Sequence, residues 1–183
     1  MILNAKNNNF FIELPRGFFY EKVINKYDFY IKRLPNPYEN IRDFINASIQ
    51  GVSFPSISMD IVQQTLYEDI PIKWKDGFNF EKHIDKSFTM TFKAYEGYIN
   101  YWILFEQLYW FYNYDAENEY FPEMTLSMLD NTGFELIAFN FKKILMTEIS
   151  SLDLSYSSNL PDFNTFTVTF HYNYFELKRR LDE

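Results

Sequence analysis

The sequence predicts a mainly β protein: an antiparallel sandwich or barrel with one packed helix and an N-terminal helical addition. Three observations predict it. The stretch FNTFTVTFHYNYFEL (163–177) sets Phe166, Val168, Phe170, Tyr172 and Tyr174 against Thr165, Thr167, Thr169, His171 and Asn173, the period of a strand with one buried face. Its length is about twice that of an ordinary strand. Hairpin signals such as Asp130-Asn131-Thr132-Gly133 join the extended segments, with no repeated strand–helix–strand units. One apolar segment, YINYWILFEQLYWFY (98–112), interrupts the strands. As a helix apolar all round, it is expected to be buried on most sides.

In chain order, NFFIEL (9–14) reads as a first strand stopped by Pro15. EKVINKYDFYIKR (21–33) places Val23, Ile24, Tyr27, Tyr30 and Ile31 on one helical stripe, and LPNPYE breaks it with two prolines. A short helix is expected at 39–45. From 48 to 64 the pattern is extended and interrupted at Pro55, which divides or bends it. Residues 65–85 have mixed polarity and a turn at Asp76-Gly77, and read as a hairpin-like excursion that leaves and rejoins the body. KSFTMTFKA (86–94) is a clean strand with Phe88, Met90, Phe92 and Ala94 on one side, and Tyr95-Glu96-Gly97 turns into the apolar helix. EMTLSML and FELIAFNF form the hairpin around Asp130-Gly133; KILMTEISSLDLSYSS holds a further strand with Leu152, Leu154 and Tyr156 on one face.

The bulk numbers exclude several classes. In 183 residues, 47% apolar and 21% aromatic content is too hydrophobic for a disordered chain. The absence of Cys excludes disulfides and thiolate metal sites and suits a reducing cytoplasm. The N-terminus lacks the pattern of a signal peptide, and the apolar run is too short to span a bilayer. A net charge of −8 argues against tight nucleic-acid binding. NYDAENEYFPE (113–123), with four acids and no base, reads as a solvated acidic loop.

No catalytic, cofactor-binding or metal-binding residue is expected. His83 and His171 are the only histidines and neither has ligand spacing. Asp60, Glu68 and Asp69 match no catalytic arrangement, and Trp74, Trp102 and Trp110 are read as core packing. Phosphate loops, nucleophile elbows and zinc signatures are absent.

Three stretches in order resemble the phage tail-tube proteins that build the inner tube of contractile tails: SIQGVSFPSISMDIVQQ (48–64), SFTMTFKAYEGYINYWILFEQL (87–108) and ISSLDLSYSSNLPDFNTFTVTFHYNYFEL (149–177). The second resembles the family's strand, turn and single packed helix, and the third its closing pair of strands. The resemblance implies a single domain over 1–183, with an N-terminal helical extension at 1–45 and a β-barrel core at 46–177. It implies a structural virion protein, six copies closing a ring by joining sheets, rings stacking as a conduit for DNA ejection. The implied partners are further copies and other tail or baseplate proteins, with DNA only in transit and no membrane insertion; the place is the virion tail, after synthesis in the host cytoplasm. Residues 1–45 are longer and more helical than in compact tube proteins, so a baseplate, tail-hub or ring protein of this type fits as well. The contrasting reading is a monomeric β-sandwich binding carbohydrate or peptide through its aromatics. A hydrolase needs a paired acid and base, which the sequence does not supply.

Overall fold

The terminal alternating stretch lies inside a six-stranded antiparallel sheet. The computed structural model describes residues 9–34, 37–56, 61–65, 71–75, 84–114, 118–152 and 164–179. Among them the chain runs β1 (Phe10–Ile12), α1 (Glu21–Ile31), α2 (Ile41–Asn46), β2 (Ile49–Ser53), β3 (Ile61–Thr65), β4 (Pro71–Lys75), β5 (Ser87–Lys93), α3 (Ile99–Tyr114), β6 (Met124–Leu129), β7 (Glu135–Ile149) and β8 (Thr165–Arg179). The large sheet has the order β1-β6-β7-β8-β5-β2, and β3 pairs with β4 in a sheet of its own. Mostly antiparallel β with added helices is the class the sequence predicts. The turn Asp76-Gly77 and the residues Leu154 and Tyr156 lie outside the described residues.

Two differences from the sequence reading concern the long strands. The run from Glu135 to Ile149 is one strand of 15 residues, not two shorter ones. β8 continues through Lys178 and Arg179, which pair with Ala138 and Ile137. The expected face also changes partway along. Phe166, Val168, Phe170 and Tyr172 are buried, but Tyr174 is 43% exposed. Phe175 takes the inner side instead, its ring 5.8 Å from Phe139.

The cause lies on the neighbouring strand. Lys143 has a left-handed φ of 53°, and the register passes from Lys142↔Tyr174 directly to Ile144↔Tyr172. One residue on each strand is thereby skipped, so the inward set moves from even to odd positions along β8. The register is the same on both sides of this point, so the two strands turn over together; the register shift lies further along, between Met146 and Glu148.

Aromatic rings fill the inner face. Phe88 stacks on Phe141 at 4.6 Å and on Phe170 at 5.3 Å, while Phe92 stacks on Phe166 at 5.4 Å. The sheet curls into a half-barrel: Phe54, just past β2, meets Phe139 of β7 edge-on at 4.6 Å although two strands separate β2 from β7. At the same end Tyr172 donates its hydroxyl to the Asp85 carbonyl at 2.9 Å.

The helices and the segment before α1 cover the open side of the curl. Asn40 caps α2 by accepting from the Asp43 N–H at 2.9 Å. Phe18 stacks on Phe121, which stacks on Phe111 of α3. The helix α3 corrects the expectation of burial on most sides. Its buried residues are Asn100, Ile103, Leu104, Gln107 and Phe111, while Trp102, Phe105, Tyr109, Tyr112 and Tyr114 are exposed.

The two buried amides explain the orientation. Gln107 donates to the Phe18 carbonyl at 2.7 Å and accepts from the Tyr20 N–H at 3.0 Å. Asn100 donates to the Lys93 carbonyl at 2.7 Å and accepts from the Tyr95 N–H at 3.1 Å. Both satisfy backbone groups that no helix or strand ladder serves, so burial of an amide is favourable here. Gly97, with φ 68°, makes the turn that brings Asn100 back over the end of β5.

Two outcomes test this packing. Phe170→Ala should cost about 3–5 kcal/mol in denaturant unfolding because Phe170 is fully buried. Thr167→Val and Thr169→Val should fold with small changes; a large loss in these and none in Phe170→Ala would invert the faces. The second concerns alkali. Burial, with a smaller contribution from the Asp85 charge, pushes the Tyr172 hydroxyl up to about 12; burial and a hydrogen bond with Tyr38 do the same for Tyr95. In the unfolded chain both ionise near ~10. The stability they contribute is therefore complete below about pH 10 and is lost as pH rises through about 12. Tyr172→Phe should make the fall of stability with pH shallower across that window, read by unfolding at successive pH values. An unchanged slope would show that Tyr172 ionises alike in both states.

Candidate functional site

The sheet has a second face, on which short polar side chains predominate along β5 and β8 and the exposed Phe11 and Tyr174 lie further out. Along β5 and β8, Ser87 pairs with His171, Thr89 with Thr169, Thr91 with Thr167 and Lys93 with Thr165. These residues alternate with the buried aromatics, so strand periodicity places the hydroxyls together on the outer side. Short side chains bind the carpet to its own backbone. Ser53 accepts from the Thr89 N–H at 3.0 Å, Ser150 accepts from the Thr167 N–H at 2.9 Å, and Thr147 donates to the Thr169 carbonyl at 3.3 Å. Beyond the kink the same face continues as Thr125, Asn140 and Glu176.

Charge on this face is sparse and balanced. Lys142 donates to Glu176 at 2.5 Å and lies 3.7 Å from Glu123. The bond to Glu176 is the main cause holding the Lys142 ammonium above its ordinary pKa. Such a surface presents hydroxyls without a fixed excess of either sign, which suits sliding contact more than tight capture of an ion.

Two edges flank it. β1 pairs only with β6 and β2 only with β5, so among the described residues each end of the large sheet exposes one side of a strand. Open edges are templates for pairing with another chain. The β3–β4 hairpin stands apart from the sheet, in the region read from sequence as an excursion, though it starts earlier, at Ile61. Gln63, Gln64, Thr65 and Lys73 are exposed on it, and Trp74 is 53% exposed.

Of the residues weighed as chemical candidates, only His171 falls within the described residues. His171 is exposed on the threonine face, and His83, Asp60, Glu68 and Asp69 lie outside the described residues. Among the described residues there is no group of three or more His, Asp or Glu placed to hold a metal ion, and no helix long and apolar enough to cross a membrane. The tryptophans correct the reading as core packing: Trp74 and Trp102 are largely exposed, and Trp110 alone is packed against the core. In the acidic stretch, Glu119 and Glu123 are exposed as expected, but Phe121 is buried and bridges to Ile144 of β7. The hint in the sequence was the aromatic pair Tyr120-Phe121 inside the acidic run.

No family model matches the chain, and no curated protein matches it. Among solved structures it is similar to a chain of the anti-feeding prophage baseplate, at 13% identity over 98% of each chain, with a TM-score of 0.52. It is also similar to the cap that terminates the anti-feeding prophage tube, at 15% identity over 72% of this chain and 80% of that one, with a TM-score of 0.46. An Hcp protein is more distant, at 14% identity over 72% and 76%, with a TM-score of 0.36. The baseplate likeness runs nearly end to end in both chains, and at this identity it speaks for the fold alone: the chain folds like that baseplate protein.

Proposed function

We propose that the chain is a structural subunit of a phage-tail-like particle, six copies joining edge to edge into a ring whose lumen is lined by the threonine face. The observation that carries this reading is one curled sheet with two open edges, an aromatic face turned to its own core and a neutral hydroxyl face turned away. A sheet that continues from copy to copy removes the exposed edges and gives the 15-residue strands β7 and β8 a use that a monomer lacks. The six-fold order draws support from the baseplate structure, which carries six-fold symmetrisation. The same end-to-end likeness favours a ring near the baseplate over a repeating subunit of a long tube.

Geometry permits a conduit. Six strands per copy, about 4.8 Å apart and tilted about 40°, place the backbone roughly 36 Å from a six-fold axis and leave an opening of roughly 60 Å. That admits a DNA duplex or a protein cargo. The exposed β3–β4 hairpin is assigned to contacts with neighbouring subunits or the next ring. Its surface cannot fill a core, and its length exceeds a turn. Catalysis has no part in this reading.

Electron microscopy of the purified protein should show six-subunit rings or stacked rings, alone or on a template. Replacing residues 61–75 by a short turn should leave a folded subunit that no longer assembles. A strictly monomeric species under all conditions defeats the ring, and normal assembly without the hairpin defeats the hairpin's role. The unmodified protein should bind duplex DNA only weakly, at about 10⁻⁴ M or poorer at physiological salt. Thr167→Lys with Thr169→Lys should strengthen DNA binding while rings persist; tight, steeply salt-dependent binding by the unmodified protein would point instead to a DNA-binding role.

A further inference from the structure

The outer side of α3 is a second unassigned surface. Trp102, Phe105, Tyr109 and Tyr112 follow one another at spacings of three, four and three residues, and each is between 44% and 56% exposed. That is the spacing of a seam between packed helices. Beside it runs α1, in antiparallel register. Lys22 lies over the Trp110 ring at 4.3 Å, and Lys26 makes an ion pair with Glu106. One further turn along α1 stand Tyr30 and Phe29, themselves 39% and 64% exposed. The aromatic surface therefore spans both helices.

Its area and charge describe what would cover it. With those exposures, the six side chains leave about 700 Å² in contact with water. A stable interface needs about 800 Å² per partner. At the two ends of α1 stand Lys22 and Arg33, Lys22 over Trp110 and Arg33 over Phe29 at 3.7 Å. Neither has a carboxylate within ion-pair distance among the described residues, whereas Lys26 and Lys32 are paired with Glu106 and Asp28. Lys22 stands in the first turn of α1 and Arg33 two residues past its end at Ile31, eleven positions apart, about 16 Å at the rise of a helix.

We propose that this two-helix platform docks an amphipathic helix of a partner protein, with an apolar stripe at the same spacing and two acidic residues about three turns apart. The stripe packs between Trp102 and Tyr112, and the acids meet Lys22 and Arg33. A helix fits better than a strand because the exposed rings repeat with helical, not two-residue, spacing. A second copy of this chain supplies a poorer match, since its own α1 and α3 carry only Glu106, Asp28 and Glu21 as acids, two of them already paired. The platform lies on the core side of the sheet, opposite the threonine face. In the ring proposed above it would look outward, toward a layer enclosing the ring.

The test uses the full chain and a labelled 21-residue synthetic helix with leucines at three-four spacing and two glutamates eleven positions apart. Fluorescence anisotropy should show saturable binding. Glutamine or lysine in place of the glutamates should weaken it about tenfold or more. Trp102→Ala with Tyr109→Ala should weaken it at least about tenfold without changing the melting temperature, and Lys22→Glu with Arg33→Glu should transfer the preference to the lysine peptide. Absence of binding, equal binding of all three peptides, or unchanged binding by the Trp102 and Tyr109 variant overturns the proposal. So does recruitment to phosphatidylcholine vesicles in preference to the peptide, which would make the face a membrane contact. Ring formation is scored separately by microscopy: rings without peptide binding defeat only the platform, and peptide binding without rings defeats only the ring.

Discussion

One constraint organises this molecule: a sheet with an apolar, aromatic-rich inner face must have that face covered. β8 pairs with β7 on one side and β5 on the other, and Phe166, Val168, Phe170 and Tyr172 present a row of buried side chains over some four residue pairs. Exposing such a row to water costs on the order of 1.5–3 kcal/mol per side chain. The curl of the sheet, the placement of α3 and the inward folding of Phe18 and Phe121 all serve that burial. The opposite face has no such demand, so it is free to be hydroxylated and available to the outside.

The covering layer is held by hydrogen bonds as much as by grease. Gln107 joins α3 to the segment before α1, and Asn100 joins it to the end of β5. Each amide serves a carbonyl and an N–H at once, which fixes the rotation of the helix about its axis. Loss of either would strand two backbone groups in the interior, at about 1–3 kcal/mol apiece. With the amides turned inward, the rings of Trp102, Phe105, Tyr109 and Tyr112 have no place except the surface. The helix thus buries two amides beside Ile103, Leu104 and Phe111 and leaves large rings in water.

The kink at Lys143 turns both long strands over together. Without the skipped residue pair, Tyr174 would face the core and Phe175 the threonine face. The skip lets the long β7–β8 ribbon keep an apolar inner side on both halves while it bends around the core. Long strands that curve without losing their faces are what a shared barrel wall requires.

The sequence alone determined what is written in local period. The alternation at 163–177 and 86–94, the Asp130-Gly133 hairpin, the stripe of Val23 and Ile31 and the turn at Gly97 each specify an element within a few residues. Strict alternation, a glycine at positive φ and a polar cap act over one or two turns of chain, so the residues that cause them are neighbours in sequence. Tertiary structure decided the rest. Nothing in YINYWILFEQLYWFY says which side faces in, because every side is apolar, and the choice fell to two amides whose partners lie 7 and 89 residues away. The continuity of β7 and the reversal at Tyr174 depended on a single left-handed residue whose effect appears only in register with the opposite strand. Tryptophans read as packing stayed outside for the same reason: burial is settled by what lies across the fold, and that is not legible in the residue itself.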